Sequence, residues 1–132
     1  MTGKTNCSTQ QSGESEKSHF KIIDESTLQI ALVNWLHREY PNAWLATHHS
    51  PNGGYRTKVT GAQMKLMGTR PGFPDLATFW PRDGWTGIAM ELKWKNGRTT
   101  PAQEWWLDRL LTCGFQVNVC RNLDEAKRIY TA

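Results

Sequence analysis

Cysteine is scarce in this chain of 132 residues: Cys7, Cys113 and Cys120 make an odd count, and none belongs to a Cys-x-x-Cys pair or stands beside a histidine at zinc-ligand spacing. A disulfide framework and a structural zinc site are therefore not expected, and Cys113 and Cys120, which flank a predicted strand, read as core or boundary thiols. No apolar run reaches membrane-spanning length and the first residues lack the apolar stretch of a signal peptide, so a soluble, intracellular protein is expected. A Walker-type phosphate loop is missing, which argues against ATP dependence, and no repeat of solenoid length is present. Large apolar side chains are almost absent from residues 1 to 20, which are rich in Ser, Thr, Gln, Glu, Lys and Gly. Such a segment cannot offset the entropy of ordering and reads as a mobile tail, followed by one domain over residues 21–132.

What is present suits a single domain with one core. Sixteen Lys and Arg against twelve Asp and Glu leave a formal net charge of +4 and a pI near 9.1, a modest basic excess that favours a polyanionic partner without requiring one. From Asp24, a plausible N-cap, the spacing of Leu28, Leu32, Trp35, Leu36 and Glu39 predicts a helix that Pro41 ends. Ala43 to His48 reads as a short strand, and residues 50–57 as a loop built on Asn52, Gly53 and Gly54, whose glycines would allow close approach of a phosphate chain. An ordinary tight turn is the simpler reading of that loop, but Arg56 and Lys58 follow at once. A short helix over 59–67 carries Lys65, with Arg70 just beyond it. Thr100 and Pro101 start another helix, which stops at Gly114. Trp105, Leu107, Leu110 and Leu111 are expected to cover the sheet, Trp106 to lie on a flank, and most tryptophans to pack into the core. Phe115, Val117 and Val119 alternate as a strand before a last helix over 124–130. The pattern predicts an α/β fold, a central mixed sheet flanked by helices.

The chemistry concentrates between residues 75 and 93. Asp75 opens the apolar run Leu76-Ala77-Thr78-Phe79-Trp80, and Glu91 and Lys93 close the run from Gly87, with the turn signal Pro81-Arg82-Asp83-Gly84 between them. That is a β-hairpin, and strand alternation puts Glu91 and Lys93 on one face and Met90 and Leu92 on the other. Two carboxylates and a backbone carbonyl can hold a hard Mg²⁺ or Mn²⁺ ion and leave room for a phosphate, while a lysine beside them can orient water or stabilise a pentacovalent phosphorane. A turn aspartate with a solvated Glu-Lys pair is the bland reading of the same residues. His48-His49 offers too few partners for a zinc or HNH-type site and reads as a polar strand end or a DNA-facing pair.

The surrounding segments change the balance. Gly68-Thr69-Arg70-Pro71-Gly72-Phe73-Pro74-Asp75-Leu76, then Glu91-Leu92-Lys93, then Gly97-Arg98-Thr99-Thr100-Pro101-Ala102-Gln103, then Cys113-Gly114-Phe115 resemble the VRR-NUC family of the PD-(D/E)XK nuclease superfamily. Glu25-Ser26-Thr27-Leu28-Gln29 and Pro51-Asn52-Gly53-Gly54-Tyr55-Arg56 extend the resemblance over roughly residues 24 to 130. It implies a restriction-endonuclease-like core. Asp75, Glu91 and the Leu92 carbonyl would be metal ligands, Lys93 the catalytic lysine, Glu25 an outer carboxylate and Gln103 a neighbour of the site; Asp24 and Glu39 compete with Glu25 for the outer place.

The activity so implied is a Mg²⁺- or Mn²⁺-dependent DNA endonuclease of the stand-alone phage or bacterial type. Small proteins of that type resemble structure-selective nucleases acting on branched DNA such as four-way (Holliday) junctions, with a homodimer placing two sites on two strands. Asn52, Gly53, Arg56, Lys58, Lys65 and Arg70 are the candidate DNA contacts. A non-catalytic DNA-binding or assembly module with a nuclease-like fold is the alternative.

Overall fold

The computed structural model describes residues 20–51 and 58–131. Cys7, Asn52, Gly53, Arg56, the side chain of Lys58 and the expected tail up to residue 19 lie outside the described residues. In chain order the elements are α1 (Glu25–Glu39), α2 (Pro41–Leu45), β1 (Thr47–His49), α3 (Lys58–Leu66), β2 (Leu76–Thr78), β3 (Gly87–Leu92), α4 (Pro101–Thr112), β4 (Phe115–Cys120) and α5 (Leu123–Thr131).

The sheet has four strands in the order β1-β2-β3-β4. β1 and β2 pair antiparallel, β2 and β3 form the expected hairpin, and α4 carries the chain across so that β4 runs parallel to β3. The hairpin turns where Asp83 and Gly84 both take positive φ, 52° and 83°, between Arg82 and Trp85, which exchange both backbone hydrogen bonds. Two central residues with φ above zero make the turn whose twist matches the strands it joins, and Asp-Gly is well suited to it.

All six residues of β3 are buried, because helices cover both faces of this central strand. On one face Ile88, Met90 and Leu92 pack with Leu28, Leu32 and Leu36 of α1, and with Ala126 and Tyr130 of α5. On the other, Ala89 meets Leu110 of α4 and Phe115, with Phe73, Trp106 and Val117 against them. Period-two alternation therefore puts Glu91 and Lys93 on the α4 face. Leu76 pairs with Met90 and shares its face, so Asp75, one residue earlier, belongs with Glu91.

Three expectations are corrected. Ala43 to Leu45 are helical: Pro41 ends α1 but also opens α2, since its fixed φ suits a first helical position, and β1 is only Thr47–His49. The tryptophans do not form the core, which is built from leucines with Met90 and Ile88; Trp80, Trp85 and Trp105 are exposed and none of the others is fully buried. On α4, Gln103, Trp106, Leu107 and Leu110 turn inward while Trp105 and Leu111 face out, because a 3.6-residue period cannot bring Trp105 to the stripe that Gln103 and Leu110 share. Trp106 is thus a packing residue rather than a flank.

Candidate active site

The charged residues of the hairpin meet at its open end. Asp75 Oδ2 accepts the Leu92 N–H at 2.8 Å, which ties the carboxylate of one strand to the backbone of the next. Glu91 and Lys93 form a buried ion pair, Nζ to Oε1 3.3 Å, with side chains only 3% and 8% exposed. The Lys93 N–H donates to Cys120 O at 2.9 Å, continuing the parallel ladder and holding the lysine backbone in line.

Two helices complete the site from opposite faces. Thr100 and Gln103 form a capping box at the start of α4: Thr100 Oγ1 accepts the Gln103 N–H at 3.2 Å, and Gln103 Oε1 accepts the Thr100 N–H at 2.8 Å. With its oxygen so engaged, the amide aims its nitrogen at the sheet and Nε2 donates to Glu91 Oε1 at 2.9 Å. From the other side, the first turn of α1 brings Glu25 over the end of β3, where Oε1 accepts the Trp94 N–H at 3.3 Å. Asp24 is occupied as N-cap, accepting the Thr27 N–H at 2.8 Å, and Glu39 lies at the far end of the same helix, so of the three acidic residues only Glu25 reaches the site.

Burial pushes the Glu91 carboxyl up to about 7, and the Asp75 anion adds to it against the pull of Lys93. Asp75 is raised as well, by burial first, then opposed by the Leu92 N–H bond and assisted by Glu25. Three carboxylates share this end of the sheet with one buried ammonium, leaving a surplus of negative charge and oxygen donors that suits a hard divalent cation. Among the described residues no three His, Cys, Asp or Glu side chains form a metal-holding group by themselves. Asp75 and Glu91 offer oxygen donors of the kind a hard ion takes, and an ion such as Mg²⁺, which keeps several waters, would need no closed cage of side chains.

Other features escaped the sequence. His49 Nδ1 lies 2.7 Å from Asp75 O, placing an imidazole against the Asp75 segment, and strand pairing was the only hint. The Arg121 guanidinium donates to Lys95 O at 2.9 Å and Gly97 O at 2.6 Å, clamping the loop after Lys93, with Lys95 at φ 51°. No local pattern signals that long-range clamp. Of the candidate DNA contacts, Lys65 lies in the last turn of α3 and Arg70 follows the helix, both exposed; Arg70 donates to Lys65 O and Thr69 O at 3.3 Å each.

The VRR-NUC domain family model matches residues 11–123, most of the chain. The chain belongs to the VRR-NUC domain family. A solved structure described as a VRR_NUC domain protein is similar to it, with 27% identity and a TM-score of 0.72 over 84% of this chain and 88% of that one. None of the curated proteins matches. The VRR-NUC fold here is a nuclease-like α/β fold, and no helix among its described residues is long and apolar enough to cross a membrane. A cavity of about 310 Å³ between α2, Arg82 and Tyr130 lies at the opposite end of the hairpin from Asp75 and Glu91 and has no part in this site.

Proposed function

We propose that this VRR-NUC protein is a Mg²⁺- or Mn²⁺-dependent endodeoxyribonuclease. The observation that carries the reading is the meeting of Asp75, Glu91 and Lys93 at one end of the hairpin, with Gln103 fixing the Glu91 carboxylate and Glu25 closing the side. Asp75 and Glu91 would hold the ion, with the Leu92 carbonyl as a further oxygen. When bound, it would lower the pKa of a coordinated water and neutralise charge on the phosphoryl oxygens. Lys93, already held beside Glu91, orients the attacking water or stabilises the transition-state charge, and its burial keeps that ammonium in a low-dielectric setting where it acts strongly. Gln103 keeps the Glu91 oxygens in place through a neutral donor, and Glu25 adds negative charge that favours a cation. Glu25 serves as an outer carboxylate in this reading.

Branched DNA is the proposed substrate. One site per chain means that paired incisions across a four-way junction need two subunits, so a homodimer belongs to the reading. A panel of labelled four-way junctions, flaps and plain duplex, each incubated with Mg²⁺, Mn²⁺ or chelator, is the direct test. Metal-dependent cleavage that favours the branched forms is expected. Tight DNA binding without cleavage of any substrate would replace the enzyme with a non-catalytic binding module.

A further inference from the structure

We propose that the exposed ring of Trp105, with the apolar concavity beside it, is a stacking platform for an unpaired nucleobase next to the scissile phosphate. This deepens the nuclease reading above and rests on it. The concavity, about 360 Å³, is lined by Arg70, Pro71, Ala102, Trp105 and Trp106. Trp105 is 59% exposed although it lies on a helix that packs on the sheet. Its ring is nevertheless held: it stands edge-on to Trp106 at 5.2 Å and 89°, and Trp106 is fixed by Nε1 donating to Pro71 O at 3.1 Å and by an edge contact with Phe73 at 5.1 Å. A rigid aromatic face loses little freedom when something stacks on it.

Its place in the fold says what that something is. Ala102 precedes Gln103, which holds Glu91, and Pro71 lies in the segment that enters Asp75, so the platform and the carboxylates are carried by the same two stretches of chain. Those stretches are locked together at Gly72, φ 84°, where a Cβ would fall 2.5 Å from the Ala102 carbonyl carbon. The one charged side chain in the lining is the Arg70 guanidinium, which complements a phosphate or stacks on a base, while the remaining walls are apolar. Bases inside a duplex have no free face to offer, whereas nucleotides at a branch, flap or gap do. The platform therefore favours DNA with an unpaired nucleotide over intact duplex.

The test uses the full chain in EDTA, with flap and gapped DNA carrying 2-aminopurine at an unpaired position, against fully paired duplex. Trp105→Ala should weaken binding of the unpaired substrates roughly 5- to 150-fold and abolish the 2-aminopurine quench. Trp105→Phe should retain most of both, and duplex affinity should be unchanged in either variant. Equal affinity of wild type and Trp105→Ala for the unpaired substrates overturns the proposal, as does an equal loss on duplex, which would mark a backbone contact. A fall in sedimentation mass in Trp105→Ala without a change in DNA binding also overturns it, because the face would then be covered by a second copy. Cleavage in Mg²⁺ is scored separately: cleavage with no Trp105 effect refutes the platform alone, and stacking without cleavage refutes the nuclease reading alone.

Discussion

Replacing Glu91 with Gln should stabilise the metal-free protein while destroying its activity. Glu91 is 2% exposed and its carboxyl is raised from 4.5 to about 7 by burial and by Asp75. A folded-state value above the unfolded one means that the native protein keeps a proton which the unfolded chain releases. The associated stability is full below 4.5 and is lost as the pH rises through about 7. At 1.36 kcal/mol per pKa unit the gap amounts to roughly 3 kcal/mol, the cost of keeping Glu91 ionised above neutrality. Gln mimics the protonated acid, can still accept from the Gln103 amide, and leaves the charges of Asp75 and Lys93 acting on each other. Urea unfolding in EDTA should show the two proteins nearly equal at pH 5, with Glu91→Gln ahead by up to roughly 3 kcal/mol at pH 8 and a flatter pH profile. Adding Mg²⁺ should raise the midpoint of the wild type and leave the variant unmoved. Parallel pH profiles, or a variant less stable at pH 8, would refute the burial and repulsion argument.

Lys93→Ala should lower cleavage by about 10²- to 10³-fold with fold and DNA binding retained, checked by single-turnover rates and circular dichroism. Arg121→Ala, which frees Lys95 O and Gly97 O, should lower kcat roughly tenfold with KM little changed, read from steady-state kinetics; an unchanged kcat would show that the loop is held without the clamp. Gly72→Ala should cost at least about 1–2 kcal/mol from the positive φ alone, and more from contact with the Ala102 backbone, measured by thermal unfolding.

Much of the site was legible because local rules and tertiary placement agree. Asp83-Gly84 is a strong hairpin signal, the parity of a strand puts Glu91 and Lys93 together, and Thr100-Pro101 with Gln103 three residues on is an N-terminal capping pattern that also aims the amide. Where a residue has two local uses, the sequence misleads: Pro41 stops one helix and starts the next, so the following residues read as strand although they are helical. Hydrophobicity identifies tryptophans as large but does not choose a helix face; the inward stripe is the one that carries Gln103, and it takes Trp106 in and leaves Trp105 out. The choice of Glu25 over Asp24 and Glu39 depends on which carboxylate is already bound to Thr27 and on which end of α1 overhangs β3. The Arg121 clamp joins loops 24 residues apart and has no local signature.

The side chain of Gln103 serves two masters, the first turn of α4 and the carboxylate of Glu91. Helix initiation and site readiness are therefore one event. Until α4 has wound its first turn and docked, the amide is not aimed; until α1 has packed on the opposite face, Glu25 is not in place. The residues that would cut DNA are contributed by both halves of the chain, and a form lacking α1 or α4 would lack Glu25 or Gln103. A protein built this way carries its own safeguard: on the nuclease reading, it can cut only once it is whole.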